Sequence, residues 1–186
     1  MNGPPIYPPQ PDGLWHQTGR NEPVFIVATN QHRFRRGVYV VWRRAAPYPS
    51  FVTFDAPDRM TCVAQRPATN TPLQALTLLN DEAYVEAAKA MAARIVLETQ
   101  DRSLPSKMEY AMRLALARSP TSKEIELLVS LYRQEVADLR AHPDRVKSLL
   151  ANVDVLGVAL PERTSEWAAW FSVCNAILNL DETISK

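Results

Sequence analysis

Prolines decide where this chain can be regular. Six of its 15 prolines fall between Pro4 and Pro23, and only 5 glycines occur in all 186 residues. The run Pro4-Pro5-Ile6-Tyr7-Pro8-Pro9-Gln10-Pro11 can be neither helix nor central strand, because proline fixes φ and carries no amide donor. It is expected to run extended, either free or laid along the surface of something larger. A segment cut from within a longer chain reads this way.

Beyond that opening, Val24-Phe25-Ile26-Val27 is a short β-branched run that predicts a lone strand. From Arg33 to Ala46, the spacing of Val38, Val41, Trp42 and Ala45 predicts a helix ended by Pro47. The β-propensity of Val38-Tyr39-Val40-Val41 leaves a strand as the alternative. Tyr48 to Thr69 is expected to be an irregular, ordered loop.

Helix signals then follow one another. Thr71-Pro72-Leu73-Gln74 reads as an N-cap, a proline at the first helical position and a glutamine closing a capping box. That helix should stop near Asn80, with Asn80-Asp81 capping the next. There Tyr84, Ala88, Met91 and Ile95 form the apolar stripe and Glu82, Glu86 and Lys89 are expected outside. Met108, Ala111, Met112, Ala115 and Leu116 repeat the pattern until Arg118-Ser119-Pro120. Thr121-Ser122-Lys123-Glu124 is a second capping box, followed by Ile125, Leu128, Tyr132, Val136 and Leu139. His142-Pro143 stops that helix, and Val146, Leu149, Leu150 and Val153 mark a shorter one. A last helix is expected from Thr164 to about Ile184. Its Trp167, Trp170, Phe171, Cys174, Ile177 and Leu178 make the most apolar face in the chain, read as core. The sequence therefore predicts an all-α fold: an irregular multi-helix bundle over residues 31–186 behind an extended proline-rich segment, residues 1–30.

Composition excludes several classes. Hydrophobic content of 46% and charged content of 22% are those of a globular chain, and a chain of this length hides about 70% of its unfolded surface. Net charge of +1 gives no bulk attraction to nucleic acid or anionic lipid. No stretch approaches the ~20 apolar residues of a membrane span. Met1 to Pro11 shows neither the basic nor the apolar region of a signal peptide. Cys62 and Cys174 are read as ordinary buried thiols, a disulfide being the alternative.

Four stretches carry a resemblance. Gln10-Pro11-Asp12-Gly13-Leu14-Trp15 resembles a QPxGLW element, and Arg35-Arg36-Gly37-Val38-Tyr39-Val40-Val41-Trp42-Arg43-Arg44 an RRSLYxFWRR element. Phe54-Asp55-Ala56-Pro57-Asp58, Cys62 and Thr69-Asn70-Thr71-Pro72-Leu73-Gln74-Ala75-Leu76-Thr77-Leu78-Leu79-Asn80 are similar to FDAPD…C…TNTPLQALxLLN. Leu178-Asn179-Leu180-Asp181-Glu182 resembles a terminal LLNLDE. In this order they resemble the planctomycete cytochrome-associated family of unknown function called PSD-one. The resemblance implies a C-terminal part of a large exported protein with a cytochrome c-like domain upstream. This chain has no Cys-x-x-Cys-His to attach a haem, so no cofactor is expected. Gly37 stands where the family pattern has serine, and Cys174 lies outside the pattern.

Catalytic constellations are thin. His16, His32 and His142 are scattered, and no GxSxG, P-loop or GxGxxG occurs. Asp55 and Asp58 can divide acid and base work or bind a cation, but they equally suit turn and cap roles around Pro57. More suggestive is local charge. Arg33, Arg35, Arg36, Arg43, Arg44, Arg59 and Arg66 interleave with Tyr39, Trp42, Tyr48, Phe51 and Phe54. Forked guanidinium donors beside aromatic faces suit carboxylates, sulfates and sugar rings. The candidate polar cluster is Arg35, Arg36, Arg43, Asp55, Asp58, Arg66, Asn70 and Gln74. As internal scaffold, it requires Arg36, Arg43, Asp55 and Asp58 buried and bonded to one another, with Asp181 and Glu182 as further partners of the arginines. As a ligand surface, it requires an open cleft with the carboxylates in solvent. The leading reading is a structural or interaction module whose partners are the remaining domains of its parent protein. The alternative is part of a carbohydrate-processing enzyme or a surface for anionic polysaccharide.

Overall fold

The computed structural model describes residues 3–15, 25–43, 45–65, 67–151 and 164–184. His16, Val24, Arg44, Arg66 and Val153 lie outside the described residues. The chain divides into two compact units, Met1–Thr77 and Leu78–Lys186.

In unit 1 the proline-rich segment is extended, as its chemistry requires, and tied down rather than free. The Ile6 amide donates to the Tyr39 carbonyl at 2.9 Å, and the Val41 amide donates to the Ile6 carbonyl at 3.0 Å. They frame an isolated parallel bridge between Ile6 and Val40, and Ile6 is buried. Arg35 Nη1 donates to the Pro4 carbonyl at 2.6 Å. Tyr7, Trp15 and Phe25 meet edge to face, with centroids 5.0–5.4 Å apart.

This pairing explains why Arg33–Ala46 is neither the predicted helix nor the alternative strand. A helix would send the Tyr39 carbonyl to residue 43 and the Val41 amide to residue 37; Ile6 takes both. What remains is two 3₁₀ turns, Asn30–Phe34 and Gly37–Tyr39. Residues 25–27 form no strand. Gly37 lets the chain pass Phe51, since a Cβ there would stand 3.0 Å from a Phe51 ring carbon.

The expected loop after Tyr48 contains a short helix, α1 (Pro49–Thr53), started by its proline. Its end has the form of a Schellman turn. Asp55 is left-handed with φ 58°, and the Ala56 amide reaches back to the Phe51 carbonyl at 2.8 Å. Phe51 stacks on Trp42 at 5.2 Å. α2 (Pro72–Asn80) follows and crosses the boundary between the units.

Unit 2 holds α3 (Glu82–Glu98), α4 (Leu104–Leu116), α5 (Ser122–Ala141), α6 (Pro143–Leu149), α7 (Ser165–Leu178) and α8 (Asp181–Ile184). Their starts carry side-chain caps where the sequence offers them. Asp81, Ser103, Thr121 and Thr164 each accept a backbone amide of their own first turn, and Thr121 with Glu124 completes the capping box. α7 is the hub, packed against α3, α4, α5, α6 and α8. One of its faces joins Ala93, Leu139, Val146 and Leu150 through Trp167, Ala168 and Ala169. The other joins Ile95, Met108, Met112 and Leu116 through Trp170, Phe171, Cys174 and Ile177. Ala88 and Ala92 share that second cluster, and such small side chains let α3 approach α7 closely. Each large apolar side chain fully buried here contributes about 1.5–3 kcal/mol.

Three further expectations are corrected. Glu86 and Lys89 are 6% and 8% exposed rather than outside. The Lys89 ammonium donates to the Ala151 carbonyl at 2.8 Å, and burial lowers its pKa while Glu86 opposes the shift. Cys62 is exposed, Cys174 is buried, and both are free thiols. The last helix breaks after Leu178, and Thr183, within the separate turn α8, donates Oγ1–H to the Ile177 carbonyl at 3.0 Å.

Candidate functional site

The candidate residues separate into two groups. Asp55, Asn70 and Gln74 lie along the join between α1 and α2, and there a continuous hydrogen-bond chain forms. Asp55 Oδ2 accepts from the Thr69 amide at 2.9 Å and from Thr69 Oγ1 at 2.7 Å. Thr69 Oγ1 accepts in turn from Gln74 Nε2 at 3.1 Å. The second Gln74 Nε2 proton goes to the Thr53 carbonyl at 2.9 Å, and Gln74 Oε1 accepts from the Thr71 amide at 2.9 Å. Gln74 is 1% exposed. Its side chain is satisfied at both ends, as a buried amide must be. The left-handed conformation at Asp55 turns this carboxylate into a brace. Asp58 is exposed and accepts from the Met60 amide at 2.9 Å, closing a turn. Both carboxylates thus hold local backbone, and Asn70 is exposed beside them.

The arginines form the second group and lie against rings. Arg35 stacks 3.8 Å from the Tyr39 centroid, Arg43 4.6 Å from Trp15, and Arg59 4.7 Å from Trp42. Arg36 is exposed, and its carbonyl caps the second 3₁₀ turn. Arg66, also a candidate, lies outside the described residues. Arg36 and Asp58 are exposed, so the four residues are not all buried as one reading required. Glu182 pairs with Arg118 at 2.7 Å.

Thr69 and Thr53 were missed as members of the network. The signal for Thr69 was present, since it is a hydroxyl two residues ahead of a capping box. Thr53 contributes only its carbonyl, which no residue type reveals. Among the described residues, no group of three His, Cys, Asp or Glu could hold a metal ion, and no helix is long and apolar enough to cross a membrane.

The sequence model of one family, PSD1, described as a protein of unknown function (DUF1553), matches residues 1–132. The chain belongs to the PSD1 family. The match takes in the whole Asp55–Gln74 brace and the arginine–aromatic pairs, and ends inside α5. The terminal element at Leu178–Glu182 lies beyond it. In this PSD1 chain the stretches similar to FDAPD and TNTPLQ are therefore the two sides of one hydrogen-bonded join. No curated protein and no solved structure matches the chain.

Proposed function

We propose that this PSD1 chain is a docking module: unit 2 is the packed body, and unit 1 offers an arginine-rich apolar face to a neighbouring domain of the same protein. One observation carries the reading. Among the described residues, ten of the fourteen exposed large hydrophobics fall in unit 1, with Val38 79%, Ile26 70%, Met60 68% and Val52 60% exposed. Of the 22 buried hydrophobics, only Ile6 and Trp15 belong to unit 1. So many exposed apolar side chains beside so small a buried core favour a partner that covers unit 1.

The partner is expected to be apolar and acidic, because residues 1–77 carry eight arginines against four carboxylates. With the export that the family resemblance implies, the docking would take place outside the cytoplasm. The brace at Gln74 suits this role, since it fixes α1 and α2 without using their outer side chains.

The test is a pair of surface substitutions, Val38→Asp and Met60→Asp. Both residues are exposed, so the purified chain should melt within about 0.5 kcal/mol of the parent. In the protein as its own cell makes it, either change should loosen the docked face and speed proteolytic cleavage around α1. An unchanged cleavage pattern contradicts the reading.

A further inference from the structure

One helix of this chain is apolar on both of its sides. In α2, Gln74 and Leu78 are buried one turn apart, while Leu73, Leu76 and Leu79 are 60%, 56% and 45% exposed. At about 100° per residue, the three exposed leucines make a stripe about 120° wide, opposite the buried pair. The close helix–helix pairings among the described residues run between α3, α4, α5, α6, α7 and α8, and α2 is in none of them. A helix of only 9 residues draws its stability from packing, and one that is apolar all round is a buried helix. The outer stripe of α2 therefore calls for a cover.

Charge and spacing decide what fits there. Residues 1–77 carry eight arginines against four carboxylates, so most of unit 1 would repel a copy of itself. Between Arg66 and Asp81, however, no charged residue occurs. The stripe is also its own complement. Leu73 and Leu79 stand three residues to either side of Leu76, with the small Ala75 and Thr77 next to it. Two copies of α2 laid antiparallel about an axis at Leu76 set Leu76 on Leu76 of the second copy, and Leu73 on Leu79 in both directions. Such an exchange of identical contacts is the form a two-fold interface takes. The same register sets Asp81 opposite Thr71 of the second copy, which keeps the two carboxylates apart.

We propose that α2 is the contact of a two-fold dimer of this chain, made by Leu73, Leu76 and Leu79 on antiparallel helices. Side-chain rows three residues apart interdigitate in helix pairs of this kind. The helix is about 14 Å long, so the contact is smaller than the ~800 Å² per partner of a standard interface. The dimer is accordingly weak and depends on concentration. This inference goes beyond docking by unit 1 and does not rest on it, since Val38 and Met60, where docking is tested, lie outside α2.

Sedimentation equilibrium of the whole chain tests it. A monomer–dimer equilibrium is expected, half-associated between about 10 µM and 1 mM. Leu76→Asp sets two carboxylates against each other on the axis and should weaken association more than tenfold. It should melt close to the parent, because Leu76 is exposed. Val38→Asp should dimerise as the parent does. Cross-linking reads the register. With the exposed Cys62 replaced by serine, Leu76→Cys should oxidise to a disulfide-linked dimer on its own. Leu73→Cys and Leu79→Cys should link to each other when mixed, and neither to itself. A chain still monomeric at about 1 mM leaves the stripe to a partner of another sequence and overturns the proposal. So does an association that Leu76→Asp spares, or self-linking of Leu73→Cys as fast as that of Leu76→Cys.

Discussion

Gln74 Nε2 lies 2.9 Å from the carbonyl oxygen of Thr53, joining the first turn of α2 to the last turn of α1 across 21 residues. The same side chain caps α2 through Thr71 and holds Thr69, which in turn holds Asp55. A residue that reads in sequence as a helix cap is, in three dimensions, the pin of a tertiary joint.

This distinction can be measured. A cap alone would accept glutamate, the other residue that closes a capping box. The brace would not, because Gln74→Glu removes both N–H donors and sets a carboxylate against the Thr53 carbonyl. Gln74→Glu and Gln74→Leu are both expected to destabilise unit 1 by about 2–3 kcal/mol, through buried groups left unpaired. Faster hydrogen exchange at the α2 N-terminal amides reads this directly. Parent-like exchange in Gln74→Glu would leave the residue a cap and nothing more.

Arg118 contributes to the acid stability of unit 2. It binds Glu124 and Glu182, both at 2.7 Å, and ties the end of α4 to the starts of α5 and α8. The Arg118 hydrogen bonds, helped by the Thr121 amide and hydroxyl, hold the Glu124 carboxyl down at about 2 from its ordinary 4.5. A depressed folded value contributes stability above the ordinary pKa and loses it as pH falls toward the folded one. Acid melts of the parent should therefore steepen between about pH 4.5 and 2. Glu124→Gln should flatten that window and lower the melt at neutral pH, as circular dichroism would record.

The two thiols should behave oppositely. Cys62 is exposed, whereas burial pushes the Cys174 thiol well above its ordinary value and keeps reagents away. Under native conditions a maleimide should modify Cys62 alone, and Cys174 only as unit 2 unfolds. Equal labelling rates in the native protein would place Cys174 outside the core.

How much of this was legible in the sequence follows from where the information lies. The helices of unit 2 announce themselves locally, through Thr121 and Glu124, through Thr164, and through stripes at helical spacing that end in a common core. Unit 1 does not. Val38, Val41 and Trp42 keep a helical spacing, yet Ile6, more than thirty residues earlier, takes the backbone groups a helix needs. The burial of Glu86 and Lys89 is hidden for the same reason, since the Ala151 carbonyl that receives Lys89 lies 62 residues away. The candidate cluster was legible in part. Asp55, Asn70 and Gln74 lie along one join, while the arginines stack on Tyr39, Trp15 and Trp42.

The most direct measurement of the docking claim is hydroxyl-radical footprinting of Val38, Val52 and Met60. It should be made on the purified chain and on the protein as its own cell makes it. Fast oxidation is expected at all three side chains in the purified chain, and protection of all three in the native protein. Equal oxidation in the two would mean that these side chains of unit 1 meet only solvent, and would contradict docking there.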